Sequence, residues 1–348
     1  MGGLVHDVLV VGGGSIGERH IRCFLATGRA RVATCEARSD RLAELARNYP
    51  LTAAYPAWEE VPLERFGVVV VCTPAPLHEA MFLRALDAGA HVLCEKPLAL
   101  DPSAAQRMAD AAARASRVTG TAYVYRSMAT LAHLKARLEH GEVGRVRHVL
   151  GVMGQDFPRY RPAYADVYYR SHETGGGALQ DALTHVVNYV QWCVGLETHV
   201  CCQADHLVLP RVDVEDTVAL TLRRPGEWLA SLTLNQFQKN NDIQLDFAGE
   251  TGTLRYDFRR AQLGLCRGEE WLWSEPYRAQ RDDYFQAQAG RFLDAVEGKG
   301  PFPCSVAEGA ETVRTIAAAL VSWREGRVVR VRKGGEGRWV RGGAKEGA

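Results

Sequence analysis

The chain has 348 residues, of which 47% are hydrophobic and 24% charged, and its 42 basic and 41 acidic side chains leave a formal net charge of +1. This is the composition of a globular protein long enough for two hydrophobic cores. So even a balance excludes a general electrostatic pull towards nucleic acid or anionic membrane. No apolar run approaches the roughly 20 residues that span a bilayer. The N-terminal stretch MGGLVHDVLVVGGG reads as a strand running into glycines rather than a signal peptide, so a cytoplasmic protein is expected. The nine cysteines are odd in number and form no C-x-x-C pair, which suits buried, reduced thiols and offers no metal-ligand spacing.

Up to residue 124, short β-branched runs alternate with amphipathic stretches. The runs are Asp7–Val11, Arg31–Glu36, Val68–Cys72, His91–Cys94 and Val118–Val124. The helical stretches are Ile16–Thr27, Arg41–Asn48, Leu77–Ala88 and Pro102–Ala115. Strand–helix alternation predicts a parallel sheet with right-handed crossovers and helices on both faces. The four consecutive valines from Val68 suit a strand covered on both sides.

The pattern changes after about residue 125. A helix is predicted from Met128 to His140, capped by Gly141, and strand-like sequence then dominates from Val146 to Trp273. Leu229–Asn235 alternates apolar and polar residues, as in a sheet with one buried face. Helical stretches are expected at Ala178–Val194, Asp283–Val296 and Val306–Trp323. The expected fold is α/β. A Rossmann dinucleotide-binding domain (1–124) precedes an α+β domain with an open, mostly antiparallel sheet (125–332), and a glycine-rich tail (333–348) is expected to be disordered. The outer face of that second sheet needs cover, which predicts a homodimer or homotetramer.

Gly12-Gly13-Gly14-Ser15-Ile16-Gly17 fits G-x-G-x-x-G between a strand and a helix. Gly12 permits the turn, Gly14 admits a pyrophosphate, and Gly17 lets helix pack on strand. The free N–H groups at Ser15 and Ile16 face the phosphates. Glu36 ends the next strand about 20 residues on, where a carboxylate accepts hydrogen bonds from the adenosine ribose and repels a 2′-phosphate. NAD is therefore expected over NADP, although Arg38 and Arg41 lie close in sequence. Lys96 directly follows a parallel strand, at the strand end where ligands bind in such sheets. Asp181 and His185, four apart on a predicted helix, share a face after three glycines that would let backbone pass near cofactor or substrate.

CTPAPLHEAM (72–81), CEKPLAL (94–100), YVYR (123–126), GEVGRV (141–146) and GGGALQDALTHVVN (175–188) follow the glycine loop in order. With the segment from Phe292 to Arg327, the ordered set resembles the Gfo/Idh/MocA family, relatives of glucose–fructose oxidoreductase and inositol dehydrogenase, from about residue 6 to about residue 331. The resemblance implies that Lys96 lies at the active-site floor near the nicotinamide, and that a cis peptide precedes Pro97. It implies that His185 is the general acid/base, with Asp181 binding substrate or orienting the histidine. Thr73, Pro74, His78 and Glu95 would join Lys96 along the cofactor, with a plain helix-start role as the alternative for His78. Tyr123 and Arg126 would meet substrate beside Lys96, Asp181 and His185, or Arg126 would form an interdomain ion pair; Tyr169 and Arg170, just before the glycines, are weaker substrate candidates. Asn188 stands where the family often has Asp, near the site. The implied reaction is hydride transfer between nicotinamide and a carbinol or carbonyl carbon of a sugar, cyclitol or related polyol. Redox-neutral, NAD-dependent glycoside cleavage and a non-catalytic dinucleotide-responsive regulator are the alternatives.

Overall fold

The computed structural model describes residues 4–331; the tail expected to be disordered lies outside them. Strands β1 (His6–Val11), β2 (Ala30–Cys35), β3 (Ala54–Tyr55), β4 (Val68–Val71), β5 (His91–Cys94) and β6 (Thr119–Thr121) form a parallel sheet in the order β3-β2-β1-β4-β5-β6. Helices α1 (Ser15–Ala26), α2 (Ser39–Asn48), α3 (His78–Asp87) and α4 (Pro102–Arg114) supply the crossovers. Strand parity decides which core each side chain enters. Val8 and Val10 join Ile21 and Phe24 of α1, while Leu9 and Val11 join Phe82 and Ala85 of α3. The strand order reverses between β1 and β4, and the crevice beyond their carboxyl ends is where this topology places ligands.

The second half begins with α5 (Ala129–Glu139) and β7 (Val146–Asp156), followed by the short helix α6 (Phe157–Tyr160), helix α7 (Thr184–Val194) and β8 (His199–Asp205). Six strands follow: β9 (Thr217–Arg224), β10 (Trp228–Asn235), β11 (Phe237–Gly249), β12 (Thr253–Asp257), β13 (Gln262–Cys266) and β14 (Trp271–Trp273). Helices α8 (Arg281–Val296) and α9 (Val306–Glu325) and strand β15 (Val329–Arg330) complete it. The nine strands run β14-β13-β12-β11-β7-β10-β9-β8-β15, with β10 and β7 parallel and every other pair antiparallel. Ala230, Leu232 and Leu234 point into a core shared with α5, α7 and α9. The opposite face exposes Leu150, Val152 and Leu229.

Two elements differ from expectation. The strand expected to reach Val124 ends at Thr121, whose N–H bonds to Cys304 O at 3.0 Å, and the chain then turns through a 3-10 segment, Val124–Ser127. The helix expected from Ala178 is split: Ala178–Leu183 is a π-helical turn, and α-helical geometry starts at Thr184. Helices α8 and α9, though late in sequence, also close the first sheet. Phe292 and Leu293 pack with Val8 and Val10, and Val306 and Ala310 pack with Met108.

Gly17 sets how closely α1 meets β1, because a Cβ there would lie 1.7 Å from Gly12 O. Gly17→Ala is expected to cost about 1–3 kcal/mol through backbone overlap, seen as a fall of several degrees in the thermal midpoint. An unchanged midpoint would show that the turn opens freely.

Candidate active site

The loops leaving β1 and β4 are pressed together. Gly12 has φ +91°, and a Cβ on it would meet Cys72 O at 2.8 Å. Nothing lies within 4 Å of a Cβ placed on Gly14, so the space above the start of α1 is open. No side chain caps α1, which leaves its first N–H groups available to a phosphate. Ser15 is exposed there, and Ile16 is partly buried against the neighbouring core. Glu36 stands beside this space. Its Oε2 accepts from Gly13 N at 2.7 Å, its Oε1 accepts from Arg38 N at 3.0 Å, and Arg38 Nε lies 3.3 Å from Oε1. A carboxylate has about four lone-pair sites, so Glu36 retains capacity for a ribose diol. Arg41 is held by Gly13 O, Glu18 and Glu44. These residues fit a dinucleotide.

The loop after β5 carries Lys96, whose peptide bond to Pro97 is cis. Lys96 Nζ donates to both Asp181 O and Asp181 Oδ1 at 2.8 Å. The widened π-turn presents backbone carbonyl and carboxylate of one residue to the same ammonium. Tyr168 OH donates to Asp181 Oδ1 at 2.9 Å. Burial pushes the Asp181 carboxyl up, but the Lys96 ammonium and the Tyr168 hydroxyl outweigh it and hold the group below the usual carboxylate range.

His185 stacks on Tyr125 at 5.0 Å between ring centroids and meets the edge of Tyr123 at 5.8 Å. Its Nδ1 is buried without a hydrogen-bond partner among the described residues, which is costly for a purely structural histidine. Burial first, then the Lys96 charge, push the imidazole down to about 3. His185 is therefore neutral at physiological pH.

The glycine run acts on protein rather than on ligand. A Cβ on Gly176 would lie 2.1 Å from Tyr169 O, and one on Gly177 would lie 2.6 Å from Glu215 Oε1. Fully buried Glu215 accepts from Leu179 N at 2.8 Å and lies 2.5 Å from His172 Nε2. It thereby anchors the turn that carries Asp181. Sequence reasoning missed both Tyr168 and Glu215. The neighbouring Tyr169 is instead buried among Phe157 and Tyr164 and bonds Gln236, and no periodicity in a 3-10 segment says which tyrosine faces inward.

Several expected contacts are corrected. Glu95 is buried under α1, where its Oε1 is 2.8 Å from His20 Nε2 and its Oε2 accepts from Lys96 N at 3.0 Å; adjacent positions turn it and Lys96 to opposite sides. His78 opens α3 fully buried, its ring nitrogens 2.8 Å from Thr73 O and 3.0 Å from Pro97 O, so it ties two loops together. Arg126 is only 2% exposed and spends its guanidinium on Asn188 Oδ1, Pro303 O and Glu308. Arg126 thus forms an ion pair, but with a residue of the same half of the chain rather than between the two domains. Asn188 itself points to Arg126 and Thr312, away from the Lys96–Asp181 pair. Tyr123 is buried with its hydroxyl 2.8 Å from Thr184 Oγ1. Arg170 is exposed, and its guanidinium joins no ion pair among the described residues. Thr73 donates to Met81 Sδ at 3.4 Å, and Pro74 is exposed on the loop facing the crevice.

A family model described as an oxidoreductase family with an NAD-binding Rossmann fold matches residues 6–123, and the GFO/IDH/MocA C-terminal domain matches residues 131–255. The levoglucosan dehydrogenase of Pseudarthrobacter phenanthrenivorans is 27% identical over 288 residues, 73% of this chain and 74% of that protein. The inositol 2-dehydrogenase/D-chiro-inositol 3-dehydrogenase of Shouchella clausii is 28% identical over 333 residues, 91% and 92% of the two chains. A solved levoglucosan dehydrogenase in complex with NADH and levoglucosan has the same fold, with a TM-score of 0.87 at 23% identity over 94% of this chain and 99% of that one. By both of its matched halves, the chain belongs to the GFO/IDH/MocA family of oxidoreductases with an NAD-binding Rossmann fold.

Proposed function

We propose that the protein is an NAD-dependent dehydrogenase acting on a secondary hydroxyl of a sugar, cyclitol or related polyol. The observation that carries this reading is the Lys96 ammonium pinned to Asp181 beside a neutral His185 whose buried Nδ1 has no hydrogen-bond partner among the described residues. Both comparison enzymes are named for oxidising such compounds. Gly12, Gly14, Ser15, Ile16 and Gly17 would hold the pyrophosphate, Glu36 the adenosine ribose with Arg38 at its rim, and Thr73 and Pro74 the nicotinamide side. When bound, the nicotinamide supplies the two-electron acceptor.

The chain's own residues manage the proton and the charge. Neutral His185 accepts the proton of the substrate hydroxyl. The Lys96 ammonium stabilises the oxygen as negative charge develops on it. Asp181 and Tyr168 fix the position of the ammonium. In the reverse direction the same path runs backwards: protonated His185 returns that proton to the oxygen, while the Lys96 ammonium again faces its negative charge.

A cytoplasmic location and a homo-oligomer belong to the same reading. All nine cysteines are free, as in a reducing compartment. Among the described residues no helix is long and apolar enough to cross a membrane. The exposed Leu150, Val152 and Leu229 give the outer sheet face apolar area for a second copy to cover.

Nicotinamide absorbance with NAD and a panel of sugars, cyclitols and sugar acids tests the function. Reduction with at least one compound is expected; a flat panel from a protein shown to bind NADH would contradict it. Lys96→Met and His185→Phe should each lower kcat by on the order of 10²–10⁴, and near-normal turnover would remove that residue from the mechanism. Because the base form of His185 persists above about 3, its titration should leave oxidation flat across roughly pH 5 to 8. An acid limb near the ordinary histidine pKa that vanishes in His185→Phe would refute the assignment. Breaking the partly buried pair singly, by Lys96→Met or Asp181→Asn, should cost about 3 kcal/mol in stability. The double variant should cost less than the sum, and strict additivity in denaturant unfolding would show that the pair is not coupled.

A further inference from the structure

The carboxylates around the start of α1 are already engaged. Asp282 binds Arg19 and Arg22 of α1. Glu18 binds Arg41 and Tyr49, Glu95 binds His20, and Asp181 binds Lys96. Two arginines are left over. Arg161, just after α6, reaches across from the second half of the chain and donates to Ser15 Oγ at 3.2 Å. Arg281, the first residue of α8, has neither ion-pair nor hydrogen-bond partner for its guanidinium among the described residues.

Arg281 is directed by its helix. Positions 281, 284 and 285 share one face of α8. Phe285 and Tyr284 of that face pack with Tyr125, the ring on which His185 stacks. Arg281 therefore stands on the face that fronts the histidine, while Arg161 stands between Ser15 and Tyr168, the partner of Asp181. Although Arg281 reaches solvent, desolvation by surrounding protein and the like charges of Arg19 and Arg161 push it down to about 10. The carboxylates of Asp282 and Asp181, each engaged with another cation, offset this only in part, so the like charges remain unfavourable together until an anion arrives, and a guanidinium fork suits a carboxylate or phosphate.

We propose that Arg281 and Arg161 form an anion-binding wall of the substrate cleft, so that the preferred substrate is a sugar or cyclitol derivative carrying a carboxylate or phosphate rather than a neutral polyol. The proposal rests on the dehydrogenase reading for the place of the cleft.

The test is calorimetric binding of D-glucuronate, D-glucose 6-phosphate and D-glucose to the full-length protein saturated with NADH, for the wild type, Arg281→Met and Arg161→Met. At least one acid should bind about tenfold more tightly than glucose, and Arg281→Met should remove about tenfold of its affinity. NADH affinity of Arg281→Met should stay within about twofold of wild type, which also shows that the variant is folded. Glucuronate against glucose 6-phosphate tells which anion the wall takes. Glucose binding as tightly as both acids, binding of neither acid, or acid affinity unchanged in both variants overturns the proposal. Weakened NADH binding with the acid preference intact assigns the arginines to the dinucleotide phosphates and also overturns it. An acid that binds through Arg281 but is never oxidised upholds the wall and removes the dehydrogenase reading instead.

Discussion

The interaction on which the site depends is the ion pair between Lys96 and Asp181. Lys96 leaves β5 of the first sheet, and Asp181 sits on a turn of the second half, 85 residues further along the chain. Withdrawing two charges from water is costly, and such a pair contributes little net stability compared with apolar packing. It does fix one geometry, because either charge alone in that place would be worse. Much of the surrounding structure delivers Asp181 to the ammonium. Glu215 holds the turn through Leu179 N, the glycines let the 168–171 segment pack against it, and Tyr168 takes a place on the same carboxylate oxygen.

The pair also sets the electrostatics of its neighbour. His185 lies where burial and a positive charge both oppose protonation. The result is a division of labour: one group keeps a positive charge fixed by a carboxylate, and the other stays neutral and able to accept a proton. Tyr125 and Tyr123 supply the apolar walls that make the burial effective.

The first half of the chain is readable because its signals are local. Strand β1, the glycine loop, Glu36 and the four valines of β4 each sit within a short window of sequence, and parity or turn chemistry fixes what each can do. The second half is less readable because its decisive contacts cross the chain. Arg126 is spent on Glu308, 182 residues away, and nothing near Arg126 announces that partner. Glu95 and Lys96 are adjacent, yet one is buried against His20 and the other faces the cleft. The expected regular helix over Asp181 and His185 conceals a π-turn, which frees a carbonyl for Lys96. Tyr168 and Tyr169 look equivalent in sequence, and only the packing of Phe157 and Tyr164 against the second selects the first for the site.

The central claim is that Lys96 and His185 act together on one substrate oxygen. A crystal structure of the protein with NADH and a compound that it oxidises tests this most directly. The account predicts the reacting oxygen within hydrogen-bond reach of both Lys96 Nζ and a ring nitrogen of His185, with the Lys96–Asp181 pair intact. A productively bound compound whose reacting oxygen touches neither residue would contradict it.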